Sequence, residues 1–405
     1  MSQTHEAAPR RDDDAGRGPI PRRVPRIRET PRQRGRTALR VLVALGALAG
    51  VGTIVAFAAT AGDVEGARLA VVYALIPLPL LWWGYWWLDR YEPEPLRYKL
   101  AAFVWGGVGA VAIALASGIA ADLWTDLDEN QLASIVAPLT EEPAKGLFLL
   151  LTFLRWRRII DGFVDGLVVA GLVGVGFAFV ENIGYYASSY LGSPDLAVAG
   201  AEGATGTFVV RGIFSPLAHP LFTSAFGIAL GICVLVRSRW AKLVVGTLGM
   251  AVSIGLHALW NASAVYGGGA VFALAYLALA VVLLCVVVTA IVVRVRQVRT
   301  LERSLSWVAE RGWIHPAEIP YLSRFTYRKA ARRYARREHG RTAARIVTRY
   351  QRLATEMAFL HDAIMSGRHK PHGVERTYGL LDAMYQLRPA LRLPPALTPI
   401  DGAVH

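Results

Sequence analysis

A set of polar residues sits in stretches of this chain that are otherwise too apolar to hold them. They are Glu141, Glu142 and Lys145, then Glu181 and Asn182, then Arg211 and His219, then His257 and Asn261. Ionisable groups at that depth of a bilayer cost ~2.5–3.5 kcal/mol each, even on the lenient insertion scale. A water held against a carboxylate, with imidazole partners, can be made nucleophilic toward a carbonyl. One route binds Zn²⁺ through Glu and His and lowers the pKa of a bound water to ~7. Its candidate ligands are His219, His257 and Glu142. The other route needs no metal: a desolvated Glu is the general base, one His assists, and a second His with Asn stabilises the oxyanion. Here Glu141 is the first choice of base and Glu142 the second. His219 assists the water or ligates a metal, and His257 with Asn261 holds the oxyanion. Glu181 and Lys145 tune the charge, with Asn182 and Arg211 as supporting residues. The chain contains no His-Glu-x-x-His, so the best-known zinc signature is absent. From another functional class, the same groups could form a proton or ion relay in a transporter. They could also be a polar network that only fixes a helix bundle, or the membrane part could be a silent scaffold presenting its tail to partners.

The spacing favours convergence. Glu141 and Lys145 are i,i+4, as are His257 and Asn261, Ser215 and His219, and His219 and Thr223. On a helix each such pair shares a face. Pro143, Pro216 and Pro220 free backbone carbonyls, and such irregular backbone is tolerated in a membrane where it lines a cavity. Gly171, Gly174 and Gly176, just before Glu181, permit close helix approach. With alternating helix directions and 1.5 Å of rise per residue, Glu141, His219 and His257 fall roughly 12–17 Å below the outer surface, with Glu181 somewhat higher. Asp165 lies toward the opposite side and reads as structural.

These positions require an all-α, polytopic membrane bundle. The chain of 405 residues is 54% hydrophobic and only 18% charged, with a net charge of +14. That charge is segregated: residues 1–40 carry +6, residues 41–293 carry −4, and residues 294–405 carry +12. The two cysteines, Cys233 and Cys285, lie in apolar stretches, which excludes a disulfide scaffold. A span needs ~20 apolar residues. Candidates are Val41–Gly62, Leu69–Leu88, Leu100–Ala121, then about 132–154, 162–186 and 208–236. The uncharged run 243–293 is too long for one span and must turn at Gly267–Gly269, which makes about eight spans. Loops bearing Arg90, Arg97 and Lys99, then Arg155, Arg157 and Arg158, then Arg237, Arg239 and Lys242 alternate with acidic or uncharged loops. The positive-inside rule then puts both termini in the cytoplasm of a multi-pass cell-membrane protein. Trp82, Trp83, Trp86 and Trp87 read as interfacial anchors.

The expected organisation is therefore a disordered basic cytoplasmic tail over 1–37, an eight-helix transmembrane domain over 38–294, and a basic, mostly helical cytoplasmic region over 295–405. In that last region Phe325–His339 and Thr342–Leu360 have helical periodicity. The run Arg324–Arg341 interleaves bases with Tyr and Phe, a pattern compatible with nucleic acid. Its place after a membrane span favours anionic lipid headgroups instead, at ~1 kcal/mol per basic residue, and no nucleic-acid partner is expected.

Four motifs in order also carry a resemblance. Glu141-Glu142-Pro143-Ala144-Lys145 is similar to Glu-Glu-x-x-Lys, and Phe177 through Glu181 is similar to Phe-x-x-x-Glu. Arg211-Gly212 leads through Pro216 and His219 to Thr223 and Gly227, and His257 to Asn261 is similar to His-x-x-x-Asn/Asp. Together, over roughly 70–270, they resemble the PrsW-type intramembrane proteases, a group related to the CAAX prenyl endopeptidases. Phe214 precedes His219 by five residues where the family pattern has four. The resemblance implies an endopeptidase acting on membrane proteins or membrane-anchored peptides. It leaves open a metal-bound or a glutamate-activated water.

Overall fold

The computed structural model describes residues 64–91, 93–155, 159–192, 198–367 and 373–394. The tail 1–37, the expected first span Val41–Gly62, and Asp63, Glu92, Arg157 and Arg158 lie outside the described residues. All regular structure among the described residues is helical, and it falls into two compact units divided between Val293 and Arg294.

The membrane unit holds α1 (Val64–Leu88), α2 (Leu96–Trp124), α3 (Ala137–Arg155), α4 (Phe163–Leu191), α5 (Gly200–Phe208), α6 (Ala218–Cys233), α7 (Arg239–Tyr266) and the first part of α8 (Gly268–Glu310). Among the described residues six helical segments are long and apolar enough to cross a bilayer: α1, α2, α4, α5 with α6 as Gly200–Cys233, α7 and α8. α3 stands where the fourth span is expected, but Glu141, Glu142 and Lys145 make it too polar to qualify by composition. The count of eight therefore rests on α3 and on Val41–Gly62 in addition to these six. Arg68, within α1, lies on the side otherwise free of basic residues and is the exception to the alternation of loop charge.

α4 is the axis of this unit, and most of its length is buried. Lipid provides no hydrophobic drive between helices, so close approach of backbones has to hold them. A methyl group on Gly176 would lie 1.9 Å from the Phe103 carbonyl oxygen of α2, and one on Gly166 would lie 2.0 Å from the Gly227 carbonyl oxygen of α6. The missing Cβ atoms let α2 and α6 pack backbone to backbone on α4.

Among the described residues three wide π-type turns interrupt the regular helices, at Trp105–Ala110, Leu132–Val136 and Val209–Phe214. Such turns concentrate at functional sites because they free carbonyls and re-aim side chains. The third runs into a full break. Ser215 leaves helical geometry, and α6 starts afresh at Ala218. The expected sixth span, 208–236, is therefore two helices, and part of the expected loop 187–207 is α5.

The second unit includes α9 (Phe325–Met365) and α10 (Gly373–Leu387). α9 is bent at Gly340, whose φ of 84° is a conformation that L side chains rarely adopt. The two helices expected there, 325–339 and 342–360, are the arms of that bend. Burial of Leu301, Leu305, Ile346, Val347 and Met357 builds the core of this unit. Gln351 cross-links it by donating to the carbonyls of Tyr321 and Arg328 at 2.9 and 3.2 Å.

Candidate active site

α3 carries Glu141, Glu142 and Lys145, α4 carries Glu181 and Asn182, α6 begins one residue before His219, and α7 carries His257 and Asn261. Lys145 lies at the centre with no exposed surface. Its ammonium donates to Glu141 Oε2 at 3.1 Å and to Glu142 Oε1 at 2.8 Å. It lies 3.2 Å from His219 Nδ1, and 3.6 Å from the centre of the Phe177 ring. All three ammonium hydrogens thus have partners.

Glu142 is fully committed. Oε1 takes Lys145 and, at 3.0 Å, His257 Nδ1. Oε2 accepts from Thr223 at 3.0 Å and Ser253 at 2.8 Å. Glu141, one position earlier, has Lys145 as its hydrogen-bond partner and keeps some exposure, with 11% of its side chain accessible against none for Glu142. His257 Nε2 lies 3.9 Å from Glu141 Oε2.

The two imidazoles are oriented by similar means. Since Nδ1 of His257 faces the Glu142 carboxylate, its proton sits there and Nε2 presents a lone pair. Asn261 Nδ2 lies 3.3 Å from that nitrogen and donates to the Ala133 carbonyl at 2.8 Å. On His219, Nε2 meets Glu181 Oε2 at 2.7 Å. Its Nδ1, facing the Lys145 ammonium, is therefore the acceptor. These tautomers follow from the network of partners. Glu181 in turn binds Arg211, whose Nε donates to Asn182 Oδ1 at 2.7 Å and whose guanidinium lies over Tyr185. The two imidazole rings are 5.1 Å apart and nearly perpendicular.

The network has three carboxylates and two fixed cations, Lys145 and Arg211. One negative charge remains for a proton or a cation. Glu141, His219 and His257 can each aim one donor atom so that all three lie within 4.8 Å of one another. One carboxylate with two imidazoles is a donor set of catalytic zinc sites. A carboxylate on the far nitrogen of each imidazole is the outer-shell arrangement such sites use. The residues present therefore fit a zinc ion, provided that Lys145 withdraws toward Glu142.

All nine residues singled out from the sequence belong to this connected network. Of the three named as candidate ligands, His219 and His257 are in the group of converging donors, whereas Glu142 stands behind His257 and Glu141 takes the third place. Ser215 does not join His219. The break between Phe214 and Ala218 turns it to the Val210 carbonyl. Asp165, in the first turn of α4, stays apart. The sequence reading missed Ser253, the Ala133 carbonyl, and Phe222, which stacks on His257 with ring centres 5.1 Å apart. Ser253 was within reach of the same spacing argument, being i−4 of His257 as Asn261 is i+4.

Comparison with curated proteins found no match, and comparison with solved structures found none either. Against protein families, residues 94–291 match the model described as the PrsW family intramembrane metalloprotease. α3, α4, α6 and α7 all fall inside the matched stretch, so the helices that build this buried network are the ones the family shares. Residues 94–291 of this chain are thus similar to the PrsW family of intramembrane metalloproteases.

Proposed function

We propose that the protein hydrolyses peptide bonds of membrane-embedded substrates with a water activated at Glu141. The observation that carries this reading is the asymmetry between two adjacent carboxylates. Glu142 is wrapped by four donors and orients His257, whereas Glu141 is hydrogen-bonded to Lys145 and has an oxygen within 4.8 Å of a nitrogen of each imidazole. A general base needs a lone pair within reach of water.

In this mechanism Glu141 takes a proton from the water as its oxygen adds to the substrate carbonyl carbon. His219 holds the water through Nδ1 once Lys145 withdraws from that atom toward Glu142. Asn261 turns its Nδ2–H from His257 Nε2 to the developing oxyanion, and Lys145 offsets the negative charge that passes from Glu141 to that oxygen. The proton then passes from Glu141 to the leaving nitrogen as the C–N bond breaks, which gives one carboxyl and one amine terminus. Glu142 and Glu181 hold the two imidazoles in their tautomers. Where Zn²⁺ is the cofactor, Glu141, His219 and His257 would hold it, and it would supply a bound water with a pKa near ~7.

The test is cleavage of a single-span peptide by purified protein in proteoliposomes. Glu141→Gln and His219→Ala should each lower the rate by ~10²–10⁴-fold, the range for loss of acid–base help. An unchanged rate in either variant sinks the assignment. Metal content and chelator sensitivity, measured on the same preparation, separate the two routes. Activity lost to chelator and restored by Zn²⁺ assigns the metal-bound water, and full activity in metal-free protein assigns the glutamate-activated one.

A further inference from the structure

A buried peptidase site in a bilayer needs a door for its substrate. α8 is the membrane helix with the least cover, and Leu274, Leu277 and Leu284 are each at least 60% exposed. The opposite stripe of α8, including Phe272, Tyr276 and Leu279, packs on Leu221, Phe222 and Trp260. That packing contact is made of apolar side chains, and in lipid an apolar seam has no hydrophobic drive to stay closed. No backbone-to-backbone glycine packing of the kind seen around α4 reinforces it among the described residues. α8 joins α7 through Gly267 and Gly268, the latter at φ 58°, so it pivots on a short turn.

One polar contact spans the seam. Tyr276 donates its hydroxyl to the Phe214 carbonyl at 2.9 Å. That carbonyl is available because the helix breaks after Phe214, five residues before His219. The inner wall of the seam is the site itself, since Phe222 stacks on His257 and meets the His219 ring edge-on.

We propose that the seam between α8 and residues 214–222 is the lateral entry for a membrane-embedded substrate segment, with the Tyr276 hydroxyl as its latch. This rests on the protease reading and names the route to that site. A helical substrate must unwind for a peptide bond to reach Glu141, and the bared N–H groups then need acceptors inside the membrane. When Tyr276 swings away, the Phe214 carbonyl is such an acceptor.

Two measurements in proteoliposomes test the entry. Tyr276→Phe keeps the ring and removes the latch. It should raise cleavage of a single-span substrate by roughly two- to tenfold, the shift one net hydrogen bond can give. An unchanged or slower rate overturns the latch. In a Glu141→Gln background, p-benzoylphenylalanine placed at Phe272 should capture the substrate on illumination, whereas the same group at Leu284, on the lipid face, should capture little. No capture at 272, or equal capture at both positions, overturns the seam as entry. Capture at 272 without cleavage by the unmodified protein keeps the entry and refutes the peptidase.

Discussion

Glu141 and Glu142 are neighbours of identical chemistry, and their surroundings separate them. Four donors on Glu142 make it a positioning residue for His257. Glu142→Gln should therefore lower kcat by ~10–100-fold, the usual cost of losing an outer-shell partner, against the larger loss for Glu141→Gln. Equal losses in a side-by-side assay would refute the division of roles. Ser253→Ala removes one donor from Glu142 and should cost activity in the same direction by about tenfold or less. Its thermal unfolding in detergent should shift down by no more than the ~1–3 kcal/mol of a buried acceptor left short of a donor. A Ser253→Ala protein with unaltered kcat would show that the hydroxyl plays no part in orienting Glu142.

At the scale of elements, glycine fixes where His219 sits. A methyl group on Gly174 would lie 2.6 Å from the Pro220 Cα and 2.8 Å from the His219 carbonyl carbon. Gly174→Ala should thus destabilise the protein by ~1–3 kcal/mol through overpacking and shift His219, lowering both Tm and kcat. Gly118→Ala, where no atom lies within 4 Å, is the control and should leave both nearly unchanged. In the second unit, His361 packs on Trp307 with ring centres 4.3 Å apart. Burial, helped by Arg311 and opposed by Asp362, holds its pKa below the ordinary 6.5. The unfolded chain then takes up the proton more readily than the folded one. Stability from this site is full above 6.5 and is lost as the pH falls below it. Amide exchange around 355–365 in the full chain should accelerate from pH 7.5 to pH 5.5, and His361→Phe should remove that dependence.

For the whole molecule, we propose that both termini and the basic region 295–405 face the cytoplasm, where the excess of basic residues would meet anionic lipid. Arg333, Arg336, Arg337, Arg341 and Arg345 are exposed on α9 and available for headgroups. In a protein without native cysteines, a cysteine at Asp126 should react with an impermeant maleimide in intact cells. One at Arg239 should react only after permeabilisation, and the reverse pattern would invert the topology. The sequence by itself determined the class, because burial of apolar surface and segregation of charge are properties of composition and order along the chain. It also named the nine polar residues, since each is too costly in a bilayer to be incidental. Ser253 could have been named too, by its spacing from His257. Which carboxylate is free and which is wrapped could not be read there. Glu141 and Glu142 differ only in what α6 and α7 bring against them. The break after Phe214, the displacement of Ser215 and the Tyr276 latch likewise depend on contacts between helices distant in sequence. Periodicity reports which face a residue occupies, and packing decides what that face meets.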